Sequence, residues 1–308
     1  MVVSSAASVD LLSVLAREIV AETTEWWAME PVPPRPMPLA VVDACVLDTD
    51  GVITRTADVH RDAWKQLFDT YLDERFAGSP AHDPERRPFD AEDYLAHVDG
   101  RPRYDGVDAF LRSRGIALEW GRPDDPPQRD TVCGLGNRKN VFFRAHLDRH
   151  GVAVYDSTVA LVRRMRDLGI GVAAVSASQN QAAVLDAAGL TELFDVRVDG
   201  IMARDLGLAG KPDPALFLEA ARRLQVPPPR AAVVEDARSG VQAGRRGGFG
   251  AVIGVDRSGH PAELQAAGAD VVVADLCQVH VDDGRCLLIE RDGPGDERPL
   301  VAAGPGRP

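Results

Sequence analysis

Val41-Val42-Asp43-Ala44-Cys45-Val46-Leu47-Asp48-Thr49-Asp50-Gly51-Val52-Ile53-Thr54 is the stretch on which the reading of this chain turns. Residues 41–47 form a nearly continuous apolar run, which suits a strand buried on both faces. The run ends in two carboxylates two residues apart, followed by a glycine. On an extended strand end, side chains two apart point the same way, so Asp48 and Asp50 are expected to share one space. Gly51 then lets the chain turn sharply with no side chain in the way.

Outward from this stretch, similar apolar runs recur at residues 172–175, 231–234, 251–255 and 271–273. Helical segments separate them: Leu161, Met165 and Leu168 line one face, and Phe217, Ala220 and Leu224 another. Strands alternating with helices predict an α/β fold, a doubly wound parallel sheet of Rossmann-like type. Residues 55–156 break the alternation, with helical patterns and no convincing parallel strand. They read as a helical insertion placed directly after the first strand. The expected core domain is therefore 38–54 with 155–280, and the expected helical cap is 55–154.

Both ends read differently. Leu11, Leu12, Leu15 and Ile19 fall at helical spacing, predicting an amphipathic helix over 9–28 within an N-terminal segment 1–37. A proline-rich, extended run at 31–38 follows it. After Leu276 the periodicity fades and 293–308 is rich in Gly and Pro, so 281–308 is expected to be a disordered tail.

The formal net charge of -12 argues against a general nucleic-acid binder, since nothing would neutralise a phosphate backbone. A small phosphorylated substrate needs only a few local cations and stays compatible. The four cysteines, Cys45, Cys133, Cys277 and Cys286, lack paired spacing and read as thiols in a reducing compartment. No stretch is long and apolar enough to span a membrane. Asp10, Arg17, Glu18, Glu22 and Glu25 deny the start the layout of a signal peptide, so a cytoplasmic location is expected. Oligomeric state is left open.

In an open parallel sheet, ligands bind at the carboxyl ends of the strands. The polar residues expected there form a coherent set: Asp48 to Thr54, Ser176-Ala177-Ser178-Gln179-Asn180, Gly210-Lys211-Pro212 and Glu235-Asp236. Asp48 can attack phosphorus while Asp50 exchanges a proton. Asp48, Glu235 and Asp236 offer hard oxygens that suit Mg²⁺. Ser176 and Lys211 can hold phosphoryl oxygens and offset charge in the transition state. Each segment alone is weak, because Asp-x-Asp-Gly also occurs in calcium loops and turns, and a Glu-Asp pair often starts a helix. Their order and strand-end placement together favour phosphoryl transfer.

Over residues 42–276 these segments resemble the four motifs of the haloacid dehalogenase superfamily. Residues 50–65, DGVITRTADVHRDAWK, resemble the β-phosphoglucomutase family within it. The resemblance implies Asp48 as nucleophile and Asp50 as general acid–base. It implies Mg²⁺ held by Asp48, the Asp50 carbonyl, Glu235 and Asp236, and transferring-phosphate contacts from Ser176 and Lys211. On the cap, Thr56 and His60 match residues that couple cap closure to the acid–base. Arg103, within Gly100-Arg101-Pro102-Arg103, matches a grip on the distal phosphate, and Lys139, within Arg138-Lys139-Asn140, a substrate-facing lysine. Ser178 and Asn180 match further substrate contacts, and Trp64 is expected in the cap core.

The pattern departs at Thr49, Arg55, Gln179 and Asp213, and residues 121–136 form a long loop without counterpart. None of these removes a catalytic group. The resemblance implies a small phosphorylated sugar as substrate, with β-glucose 1-phosphate converted to glucose 6-phosphate through the bound 1,6-bisphosphate. A phosphatase for a small sugar phosphate shares every core residue. A silent binding or scaffolding module is the distant rival, and intact Asp48, Asp50, Ser176, Lys211, Glu235 and Asp236 speak against it.

Overall fold

The computed structural model of the chain describes residues 36–77 and 87–290. The expected helix over 9–28 and the segment 293–308 lie outside the described residues. The strands are β1 (Met37–Val41), β2 (Ala44–Asp48), β3 (Gly171–Val175), β4 (Val196–Val198), β5 (Ala231–Glu235), β6 (Ala251–Val255), β7 (Val271–Val273), β8 (Val279–Val281) and β9 (Cys286–Ile289). The longer helices are α1 (Thr56–Arg75), α2 (Arg103–Ser113), α3 (Val132–His150), α4 (Asp156–Asp167), α5 (Gln181–Ala187), α6 (Gly200–Leu206), α7 (Ala215–Leu224), α8 (Arg238–Arg246) and α9 (Pro261–Ala267).

Six strands form one parallel sheet in the order β4-β3-β2-β5-β6-β7. All residues of β2, β5 and β6 are buried, because helices cover both faces. Alternation feeds two cores: Cys45, Leu47 and Val234 face one side, and Ala44, Val46 and Val233 the other. The doubly wound α/β expectation holds.

Four local findings differ from the sequence reading; the expected loop at 121–136 is one, since residues 132–136 begin the helix Val132–His150. The run at 41–47 is not one strand: Val41 is 45% exposed, and the chain bends at Asp43, which accepts from Arg230 and Arg285. β1 thereby leaves for a second, antiparallel sheet of order β1-β9-β8. Residues 281–290 of the expected tail are structured, since Leu287 and Ile289 of β9 alternate into the core. Four residues are too short for that periodicity to stand out beside the charged Asp282, Asp283 and Arg285. β4 also escaped notice, having only three residues with Arg197 pointing outward.

The chain from α1 to α3 builds a separate apolar cluster around Trp64, Phe68, Phe89 and Phe110. Phe68 packs at a tilt against Phe110 with centroids 4.0 Å apart, and burying such rings dominates the stability of a small helical layer. Trp64 is 4% exposed and belongs to this cluster, as expected. Two adjacent crossings join the layer to the sheet: Arg55 N–H donates to the Ala153 carbonyl at 2.8 Å and Tyr155 N–H to Ile53 at 3.0 Å.

Candidate active site

Because the six strands run parallel, their carboxyl ends share one edge. Asp48 ends β2, Ser176 follows β3, and Glu235 ends β5 with Asp236 next. Register pairs Asp48 with Val175 and Leu47 with Val234, which sets these groups side by side. Lys211 enters from the loop between α6 and α7 and is only 4% exposed. The helical layer lies over this edge, and one cavity is lined by Asp48, Asp50, His60, Arg103, Lys139, Ser176, Ser178, Lys211, Glu235 and Asp236. Thr56 and Asn180 are not among its lining residues and stand behind its wall.

Lys211 Nζ bridges the Asp48 and Glu235 carboxylates, at 2.5 Å from Glu235 Oε1. The other Asp48 oxygen accepts the Asp50 N–H at 2.9 Å. Burial opposes the Lys211 ammonium, but the charges of Asp48 and Glu235 outweigh it and hold its pKa above the ordinary lysine range. Burial lifts the Asp48 carboxyl well above its usual range, Lys211 opposing and Glu235 and Asp50 adding to the rise. Asp236 rises for the same reasons, burial first and then the charge of Glu235.

Asp50 is treated differently. Thr56 Oγ1 donates to its Oδ1, Ser176 Oγ donates to its Oδ2 at 2.9 Å, and His60 Nε2 lies 3.3 Å from Oδ1. Burial alone would raise this carboxyl, yet His60 and the two hydroxyl donors carry it below its ordinary value. Two neighbouring aspartates are therefore pushed in opposite directions, as suits a pair with separate tasks.

On the cap side, Lys139 Nζ is 2.5 Å from His60 Nδ1, and His60 stacks on Phe143 at 4.0 Å between centroids. Burial, then the charge of Arg103, holds the Lys139 amine well below its ordinary value, and burial and Lys139 lower His60. Arg103 Nη2 donates to Asn140 Oδ1 at 3.0 Å, and Asn180 Nδ2 donates to the same oxygen at 2.7 Å. Asn180 is thus a tie between sheet and cap.

The donor chemistry fits a small hard cation. Gly51, at φ 93°, admits the Asp236 carboxylate so closely that a Cβ there would lie 1.8 Å from Oδ2. This brings Asp236 against the Asp48–Asp50 turn. Glu235 Oε2 accepts the Ala237 N–H at 2.6 Å, so each Glu235 oxygen keeps one lone pair beyond its present hydrogen bond. Among the described residues no three His, Cys, Asp or Glu side chains form a ready-made cage. Mg²⁺ does not need one, because it keeps several waters and completes its shell with phosphate oxygens beside the few oxygens a protein offers.

Two departures have local explanations. Thr49 points away from the cavity, donating to the Val175 carbonyl at 3.1 Å and accepting from Gln181 Nε2 at 2.8 Å. Asp213 accepts the Ala215 N–H at 2.9 Å at the start of α7. Sequence reading missed Tyr94 and Asp99, which line the cavity. Burial and Glu235 push the Asp99 carboxyl up to about 7. Its place directly before the Gly100-to-Arg103 segment was the available signal.

A family model described as haloacid dehalogenase-like hydrolase matches residues 42–248. A β-phosphoglucomutase of Mycobacterium tuberculosis is 47% identical over 242 residues, covering 77% of this chain and 91% of that protein. A trehalose-phosphate phosphatase of Mycobacterium leprae is 44% identical over 133 residues, covering 42% of this chain and 29% of that protein. Among solved structures, a β-phosphoglucomutase from Clostridium difficile superimposes with a TM-score of 0.61 at 23% identity, covering 77% of this chain and 92% of that one. That last likeness shows the fold.

Proposed function

The chain belongs to the haloacid dehalogenase-like hydrolase family, with relatives named β-phosphoglucomutase, and from that premise we propose that it is a Mg²⁺-dependent β-phosphoglucomutase. The observation that carries this reading is the presence of cations on both walls of one cavity. Lys211 stands beside Asp48 on the sheet side, and Arg103 and Lys139 stand on the cap side. A mutase must hold a sugar bisphosphate in both orientations, which requires a phosphate grip at each end.

In this reading Asp48 attacks phosphorus and becomes an aspartyl phosphate, splitting one difficult transfer into two easier ones. Asp50 takes the proton from the accepting sugar hydroxyl and returns it to the leaving one. Its ionised form, favoured by His60 and then by Thr56 and Ser176, suits the base role. Ser176 and Lys211 hold the equatorial phosphoryl oxygens while charge spreads over them. Asp48, the Asp50 carbonyl, Glu235 and Asp236 would hold Mg²⁺, which supplies neutralisation of phosphate charge. Arg103 binds the distal phosphate, Lys139 and Ser178 face the sugar, and the cap excludes water from the aspartyl phosphate. The substrate is a small phosphorylated sugar, with β-glucose 1-phosphate preferred.

Incubation with Mg²⁺, β-glucose 1-phosphate and a trace of β-glucose 1,6-bisphosphate tests the reading. Net glucose 6-phosphate supports it. Release of inorganic phosphate as the main product supports the second reading, a sugar-phosphate phosphatase, which the partial match to a trehalose-phosphate phosphatase favours.

A further inference from the structure

Tyr94 and Asp99 line the cavity, yet no step above employs them. Tyr94 begins a π-helical turn, Tyr94–Val98, and the Asp99 N–H closes it on the Tyr94 carbonyl at 3.0 Å. Such turns rotate the following residues out of helical register and recur at functional sites. From the sheet side, Ser239 Oγ donates to the Asp99 backbone carbonyl at 3.2 Å. The next residue, Gly100, has φ 66°, and a Cβ there would lie 2.1 Å from Ser239 Oγ. Asp99 therefore stands on the cap but is docked on α8 of the sheet domain, so its position in the cavity depends on the closed cap.

Among the described residues Asp99 forms no ion pair. Lys211 is occupied by Asp48 and Glu235, and Arg238 lies 3.6 Å from Glu263. A carboxylate so placed repels a phosphate and attracts a hydroxyl donor. The cations suited to phosphate, Lys211 below and Arg103 above, are other side chains of the same cavity, as is Arg101. A ligand with phosphate at each end presents only neutral hydroxyls between them.

We propose that Asp99, oriented by Tyr94 and Ser239, accepts a hydrogen bond from a ring hydroxyl of the phosphorylated sugar and so selects among sugars. This rests on the sugar-phosphate reading above. The rival role, orienting a cation-bound water, would act on every substrate alike.

The test is kcat/KM, read as consumed sugar phosphate, for β-glucose 1-phosphate and its monodeoxy analogues, with wild type, Asp99→Ala and Asp99→Asn. In wild type, one analogue is expected to fall about 100-fold below the parent, the size of a lost hydrogen bond to a charged group. In Asp99→Ala the parent should fall to within a few-fold of that analogue, while the analogue itself barely changes. Asp99→Asn keeps one carbonyl acceptor and should fall between, which preserves the test should the alanine variant not fold. An equal fall across parent and all analogues, or an unchanged parent, overturns the assignment. Because consumption is measured whichever product forms, a chain that releases only phosphate sinks the mutase reading and leaves this test standing. A wild type that consumes no sugar phosphate sinks both.

Discussion

Gly51 and Asp236 lie so close that a Cβ on residue 51 would sit 1.8 Å from Asp236 Oδ2. The backbone at Gly51 is also in the left-handed region, φ 93°, where a side chain costs about 1–2 kcal/mol. Gly51→Ala should therefore strain the turn and displace the Asp236 carboxylate together. The Mg²⁺ concentration for half-maximal activity is expected to rise at least about 10-fold, an order-of-magnitude figure for a disturbed ligand. A Mg²⁺ titration of turnover checks this, and an unmoved midpoint would show that Asp236 is not a ligand.

Asp48→Asn should abolish phosphoryl transfer, because an amide is a poor nucleophile and a weaker cation ligand. Mass spectrometry after mixing with acetyl phosphate should find an acyl-phosphate adduct on wild type and none on the variant. Substantial turnover by Asp48→Asn would sink the covalent mechanism. Lys211, left with Glu235 alone, should still bind phosphate analogues.

Arg103→Ala should separate mutase from phosphatase behaviour. Arg103 is anchored by Asn140 and lines the cavity on the cap side, where it can offer parallel donors to a distal phosphate. Losing that grip should let the bisphosphate escape before it reorients. Mutase turnover is expected to drop about 100-fold, or about 2–3 kcal/mol for a charged hydrogen-bond pair. Hydrolysis of a small acyl phosphate, which needs no distal contact, should change a few-fold. Equal losses in both assays would remove Arg103 from this role.

A stability prediction concerns Glu219 on α7, which accepts from Arg222 at 2.7 Å and Arg223 at 2.6 Å. The Arg222 hydrogen bond leads in lowering its carboxyl pKa to about 2. The folded-state value is depressed, so the contribution is present above the unfolded glutamate pKa and is lost as pH falls toward 2. Glu219→Gln should cost about 1 kcal/mol at neutral pH, as for a surface ion-pair cluster. Denaturant unfolding at several pH values should show the gap between wild type and variant closing from about pH 4.5 downward. A gap that stays constant to acid pH would mean that the carboxylate charge is not its source.

The amino-acid sequence alone determined the parallel sheet and the segments at its carboxyl edge. Those signals are local: an apolar run, a strand end, and polar residues of a kind directly after it. Asp48, Ser176, Glu235 and Asp236 could be gathered on paper because parallel strands must align their ends, whereas Lys211 enters from a loop between two helices. The tertiary structure decided what depends on contacts between distant residues. Val41 and Cys286 pair in a separate sheet although far apart in the chain. Asn180 reaches Asn140 of the cap, and Asp99 is seated on Ser239, 140 positions away. No periodicity encodes such meetings, because they arise only when two separately buried layers close over one another.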